Sequence, residues 1–326
     1  MPKISRRQAT KLLAAAGAGL AAPAVWAQSN MTQLRVGVVP VLDAGAFFIA
    51  QANGYFAKER LEVTATPTPG GGPSMAALVA GQLHLSMSTV TTMLQSEQEG
   101  LDLKIVSGIS GSRPYPNDYS TVMVRKESGI KTGKDVVGKT GGSHLLQNLP
   151  WVCLRLWIDN TGGDSSKANI IEVHFPQQED ALLSGRIDYV ASNEPFMSAT
   201  MQTHSDKLEI VSGLMGTMLP NTIVAAFAAS GDYIGKNTAA VEAFAHAYQS
   251  AADWAQENKK NPQMVEAIAN YTKLPVERLN SLIAWPEFIK TVDPANLDRI
   301  GQAMKRYDAL KEVPDTKALL YKTALA

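Results

Sequence analysis

Ala77-Leu78-Val79-Ala80-Gly81-Gln82-Leu83-His84-Leu85-Ser86-Met87-Ser88 returns 104 residues later as Ala181-Leu182-Leu183-Ser184-Gly185-Arg186-Ile187-Asp188-Tyr189-Val190-Ala191-Ser192. Leu103-Lys104-Ile105-Val106-Ser107-Gly108 likewise returns at an offset of 105, as Leu208-Glu209-Ile210-Val211-Ser212-Gly213. Each copy of the first block reads as a helix end, a glycine suited to a left-handed C-terminal turn, and a buried strand. One such match is common in α/β proteins. Two matches in nearly one register point to a pair of similarly built lobes, and two lobes enclose a cleft in which a ligand can sit.

Strand and helix signals alternate outward from these blocks, which gives the α/β class. Leu34 to Val39 reads as a strand, Asp43 or a neighbour starts a helix, and Gly54 ends it. Leu61 to Thr66 is the next strand, and Pro73 suits the first position of a helix with Met75, Leu78 and Val79 on its apolar face. Strands follow near Ser88 and from Leu103 to Val106. Gly111 to Asp118, with two prolines, breaks regular structure. A second α/β set runs from Thr121 to Asn221, and Thr222 to Ala228 is an apolar strand. From Asn237 the pattern is helical only, with Val241, Phe244, Ala245, Tyr248, Ala252 and Ala255 on one face. Pro262, Pro275 and Pro294 each fit the start of a further helix. These helices are expected to pack back on the first lobe. The expected domains are a first lobe of 28–118 plus 225–326 and a second lobe of 119–224. Hinges are expected near Asp118 to Val124 and Asn221 to Ala226.

The first 27 residues read as an export signal. Lys3, Arg6, Arg7 and Lys11 precede an apolar small-residue run from Leu12 to Ala22, and Val25-Trp26-Ala27 offers a cleavage site near Ala27. Ser5-Arg6-Arg7-Gln8-Ala9-Thr10-Lys11 resembles a twin-arginine leader, although Ala9 and Thr10 stand where that motif prefers larger apolar residues. An ordinary secretory signal remains open. The apolar run is too short to span a membrane. Without the leader the chain carries 26 basic and 30 acidic residues, a formal charge of −4. That argues against a nucleic-acid partner. Cys153, among Trp151, Val152, Leu154 and Leu156, is the single cysteine, so no intrachain disulfide forms and the thiol reads as buried and inert.

A family resemblance is carried by Leu34 to Pro40, Phe48-Ile49-Ala50-Gln51-Ala52-Asn53-Gly54-Tyr55-Phe56 and Leu61-Glu62-Val63, then by Ala77 to His84. Lys126 to Lys131, Lys134 to Lys139, and Gly185-Arg186-Ile187-Asp188 with Asn193-Glu194-Pro195 continue it in order. Together these stretches resemble periplasmic substrate-binding proteins of the nitrate/sulfonate/taurine uptake class. The resemblance implies a two-lobed type II binding-protein fold with two hinge segments. It also implies a periplasmic monomer that hands a small molecule to the membrane permease and ATPase of an ABC importer. The same superfamily holds a self-sacrificing pyrimidine synthase of thiamin synthesis, which carries a cysteine-rich cluster. One cysteine and an export signal make the enzyme reading the poorer one, so no catalytic residue and no cofactor is expected.

Ligands of open α/β lobes sit beyond the carboxyl ends of strands, where helix N-termini also point and favour anions. Pro40 to Gly45 forms one such loop, with Asp43 and Gly45 as candidates. Ser88 and Thr89 form another, able either to cap the next helix or to bond a ligand. Gly141-Gly142-Ser143-His144 is the third, its glycines permitting close backbone approach and Ser143 and His144 adding side chains. Here the chain departs from its relatives, because Asn148 reads as the helix cap with Pro150 just inside, which lengthens the loop. His174, before Phe175-Pro176, stands at a strand end facing the cleft. Asn193 and Glu194 can read ring nitrogens, and Glu194 can hold a cationic group or simply accept backbone hydrogen bonds. Phe47, Tyr115 and Trp151 are candidates to cover an apolar ligand body, though Phe47 or Phe48 must belong to the core. No histidine pair has metal-site spacing, and neither a nucleophile elbow nor a P-loop occurs. The expected ligand is a small organic anion, a sulfonate or carboxylate with or without an aromatic part. The alternative is a pyrimidine or other heterocycle.

Overall fold

The computed structural model describes residues 31–325, and the leader reading of residues 1–27 lies outside them. The chain opens with β1 (Thr32–Val38), α1 (Gly45–Ala52), α2 (Tyr55–Lys58), β2 (Leu61–Pro67), α3 (Gly71–Val79), β3 (Leu85–Thr89), α4 (Val90–Gln98) and β4 (Leu103–Ser112). A second set follows: β5 (Ser120–Arg125), β6 (Thr140–Ser143), α5 (Leu149–Asn160), β7 (Asn169–Glu172), α6 (Phe175–Leu183), β8 (Tyr189–Asn193), α7 (Phe196–His204), β9 (Leu208–Gly213) and α8 (Met215–Met218). The return comprises β10 (Thr222–Ser230), α9 (Gly231–Glu257), α10 (Pro262–Thr272), α11 (Val276–Asn280), β11 (Glu287–Phe288) and α12 (Pro294–Arg306).

The repeated blocks occupy equivalent places. Gly81 and Gly185 end their helical stretches at φ of 70° and 76°, and β3 and β8 follow as buried strands. Two sheets result, ordered β11-β4-β10-β3-β1-β2 and β7-β6-β8-β5-β9. Read from β2 and from β7, both run through one parallel series and then meet a strand antiparallel to both neighbours. That strand is β10 in the first sheet and β5 in the second. In each sheet it is the first strand after the chain has crossed over. Two lobes with this shared order and exchanged strands are the two-lobed α/β architecture expected from the repeat.

Three apolar clusters hold the sheets and helices. Phe47, Phe227, Phe244 and Tyr248 pack beneath α1 and α9, each fully buried. Val173, Leu182 and Met197 form a smaller cluster on the second sheet. The third joins the halves, with Leu94 and Leu103 in one cluster with Trp157 and Tyr189. Burial of such a side chain contributes roughly 1.5–3 kcal/mol. The crossing from β4 to β5 is pinned by Asp118, which is buried. Its carboxylate accepts from Ser112 Oγ (2.7 Å), Ser120 N (3.2 Å), Thr217 N (2.9 Å) and Thr217 Oγ1 (3.0 Å). These bonds tie both crossings together.

Several local expectations change. Val79 is 46% exposed, because α3 ends there and turns it away from the apolar face of Met75 and Leu78. Gly111 and Ser112 complete β4, so the break begins at Arg113. The long helix α9 starts at Gly231, capped by Ser230 Oγ, and passes a non-helical Asn237 rather than beginning there. The helix α12 touches α4 and β10 but also α5, so it contacts a helix of the second half as well as the first.

Candidate functional site

Strand ends and helix starts converge between the two sheets. After β1 the chain makes a 3-10 turn at Leu42–Ala44 that presents Asp43. Thr89 ends β3 and caps α4 by accepting a hydrogen bond from Thr92 N. Gly70, at φ 77°, leads into α3. From the second sheet, β6 leads to His144 and to Asn148, whose Oδ1 caps α5 through Trp151 N at 3.0 Å, with Pro150 in the first turn. These groups line a cleft of about 190 Å³ together with Val41, Met87, Ser88, Tyr119, Phe175, Asn193, Met215 and Val224.

Asp43 is the one carboxylic acid among the lining residues of this cleft. It lies deep in the protein yet keeps part of its surface open to the cleft. Its Oδ1 accepts from Ser110 Oγ at 2.5 Å and from Tyr119 Oη at 2.9 Å. Burial raises the pKa of the carboxyl, and these hydrogen bonds oppose that only in part. Burial first, and then the Asp43 charge, push the Tyr119 phenol well above its usual range. Across the cleft His144 stacks on Phe175 at 4.2 Å, and Phe175 stacks on Phe196 at 5.6 Å. Burial, with His174 adding to it, lowers the His144 pKa, so the imidazole is neutral at pH 7.

Two polar atoms of the lining are enclosed without a protein partner: Ser88 Oγ and His144 Nδ1. Leaving such groups unpaired costs free energy, which makes each a candidate partner for a water or a ligand group. Asn193 Oδ1 accepts from Ser120 Oγ at 2.7 Å, which leaves its amide N–H groups as donors. No lysine or arginine is among the lining residues. The remainder is largely apolar.

The structure thus brings Asp43, Ser88, Thr89, His144 and Asn193 to one cleft and places the other candidates elsewhere. Gly45 opens α1 against Met264, Ile268 and Phe288, where a Cβ would find Met264 at 2.5 Å. Phe47 is a core residue at 0% exposure, because α1 turns it toward Phe56 and Phe227 rather than the cleft. Tyr115 stands 57% exposed on the β4–β5 crossing and does not line the cleft. Trp151 is buried on α5, with the Arg155 guanidinium 4.3 Å over its ring. The Ser143 hydroxyl donates to Leu145 O at 3.2 Å and so holds its own loop. His174 lies behind His144, rings 5.3 Å apart, with Nε2 3.8 Å from Glu172. Glu194 is buried and accepts from Ser198, Ile283 and Ala284.

The glycine pair has a packing reason. A Cβ on Gly141 would sit 2.4 Å from the Tyr189 ring, and one on Gly142 would meet Ile187 at 2.9 Å. Both glycines belong to β6, so they make room for the sheet's own side chains and not for a ligand. Sequence reading passed over Tyr119 and Phe175. The signals were present: Tyr119 directly follows the chain break and Phe175 directly follows His174.

Comparison with known proteins agrees with this architecture. Residues 42–262 match the family described as NMT1/THI5 like. A Haemophilus influenzae protein named for thiamine biosynthesis is 27% identical over 150 residues, 45% of this chain, and the match spans only 45% of that relative's length. Among solved structures, the periplasmic aliphatic sulphonate binding protein of Escherichia coli superposes with a TM-score of 0.75 at 19% identity, covering 90% of this chain and 98% of its own. The periplasmic nitrate-binding protein of Synechocystis PCC 6803 gives 0.71 at 15% identity, covering 89% and 85%. At these identities the likeness is one of fold.

Proposed function

The chain belongs to the NMT1/THI5-like family, and from that premise and the cleft's chemistry we propose that it is a solute-binding protein of an ABC importer that captures a flat, uncharged or weakly basic heterocycle. One observation carries the choice of solute: the cleft holds a buried carboxyl group at Asp43, a neutral imidazole at His144, and no cationic side chain. Met87, Leu149, Phe175, Met215 and Val224 suit the faces of a ring. Asp43 and Ser88 supply acceptors, and Asn193 supplies donors, for ring and exocyclic nitrogens. No cationic side chain of the lining would offset the cost of dehydrating an anion, and an ionised Asp43 would add repulsion.

The fold and the leader-like N-terminus support export and delivery to a permease with its ATPase. Among the described residues no helix is long and apolar enough to cross a membrane. An enzyme built on Cys153 is disfavoured, because that thiol is fully buried and burial drives its pKa up. A small sulfonate or carboxylate is the second reading, favoured by the starts of α3, α4 and α5, which meet at the cleft.

Thermal-shift screening of pyrimidines and other neutral heterocycles against alkanesulfonates, aromatic carboxylates and nitrate decides between them. A heterocycle whose affinity is insensitive to salt supports the proposal. Binding of an anion that weakens steeply with salt overturns the choice of solute. Catalytic turnover of a bound compound overturns the binding-protein reading itself.

A further inference from the structure

Glu194 stands beside a cleft residue, Asn193, but its carboxylate faces away from the cleft and into the protein. Its own lobe supplies two donors: Ser198 Oγ at 2.6 Å and Ser198 N at 3.2 Å, both from α7. The remaining two come from a segment about ninety positions later in the chain. Ile283 N donates to Glu194 Oε1 at 3.0 Å and Ala284 N at 3.2 Å, and Ile283 N also reaches Ser198 Oγ at 2.7 Å. That segment belongs to the first lobe. Leu282 and Trp285 sit in the cluster beneath α1 and α9, and β11 pairs with Gly111 and Ser110 of β4. Two consecutive backbone N–H groups of one lobe therefore hold a carboxylate of the other.

We propose that Glu194 is a closure clasp: its carboxylate, carried by the second lobe, holds the Ile283 and Ala284 amides of the first and so keeps the lobes together beside the bound solute. Glu194 N also donates to Tyr119 O at 2.9 Å, and Tyr119 Oη bonds Asp43, so the clasp is continuous with the cleft floor. Through Asn193 it is a positioning residue for the solute. Opening would take a carboxylate from donors it meets in a nearly dry setting, which makes this contact stronger than an exposed ion pair. A second interlobe contact joins Arg306 Nη2 to Asp159 Oδ2 at 2.9 Å, with the arginine side chain 54% exposed and Tyr307 Oη also donating to Asp159 Oδ2 at 2.8 Å; its exposed arginine contributes little.

The clasp rests on the closing of two lobes and not on the identity of the solute, so its test needs no solute and can fail independently of the screen above. Spin labels on Val79→Cys and Val137→Cys, exposed sites on the first and second lobes, report the interlobe distance, and the buried Cys153 does not compete for label. Glu194→Ala is expected to broaden and shift the distance distribution and to raise amide exchange at Ile283 and Ala284 by about tenfold or more. Glu194→Gln keeps an acceptor oxygen and is expected to return both readings toward wild type. Should Glu194→Ala not fold, Ser198→Ala, which removes one supporting hydroxyl, is expected to give the same shift in smaller degree. An unchanged distance distribution overturns the clasp even if exchange rises, since a fixed hinge pin would behave so. A Glu194→Gln chain as open as the alanine variant also overturns it.

Discussion

Asp43 and His144 face one another's cleft with opposite responses to pH. Burial raises the Asp43 pKa above its unfolded value of 3.8. The native state therefore binds that proton more tightly than the unfolded chain does. Its contribution to stability is full below the unfolded pKa and is lost as pH rises through the folded pKa. Asp43→Asn cannot ionise, so it is expected to gain on wild type between about pH 4 and pH 7. Urea midpoints at the two values check this, and a constant difference would refute it. His144 runs the other way, because burial holds its pKa below 6.5. Stability from the neutral imidazole is present above 6.5 and is lost as pH falls through the depressed value. His144→Gln is expected to gain on wild type on acidification from about pH 7 to pH 5, measured in the same titrations.

At the scale of elements, α5 and β6 set the second lobe's side of the cleft. Asn148 starts α5 through its bond to Trp151 N, and Pro150 fills a position whose N–H has no helical partner. Asn148→Ala is expected to cost about 1 kcal/mol in urea denaturation and to loosen the His144 loop. In β6 the space beside Gly141 is filled by Tyr189. Gly141→Ala must displace a fully buried aromatic ring, and about 1–3 kcal/mol of lost stability is expected in thermal melts. A change near zero would show that the ring swings aside freely. Neither substitution tests the solute, since each acts on how the loop is held.

The whole molecule is two sheets of one strand order, crossed twice by the chain and pinned at Asp118. Such a frame bends at its crossings while the lobes move as bodies. A solute that bridges Asp43 on one side and His144 on the other is therefore expected to compact the protein, seen as a smaller radius of gyration by small-angle scattering. At a hundred times its dissociation constant it stabilises the fold by ~2.7 kcal/mol, which the thermal shift reads. A solute that raises the melting temperature with no compaction would place binding outside the cleft.

The alternation of apolar and polar residues, the paired glycine turns at Gly81 and Gly185, and the Asn148 and Pro150 start signals each describe a short stretch, and a short stretch determines its own secondary structure. That made the α/β class, the two similar halves and most element positions legible, along with Asp43, Ser88, Thr89, His144 and Asn193 at strand ends. The rest depended on which stretch lies beside which. Phe47 and Phe175 are both aromatics near helix starts, yet one packs on Phe227 in the core and the other on His144 in the cleft. Gly141 is dictated by Tyr189, and Glu194 by Ile283 and Ala284, partners 48 to 90 positions away along the chain. Local sequence marks which side chains are apolar; strand order and the packing of distant elements decide how far each is buried and against what.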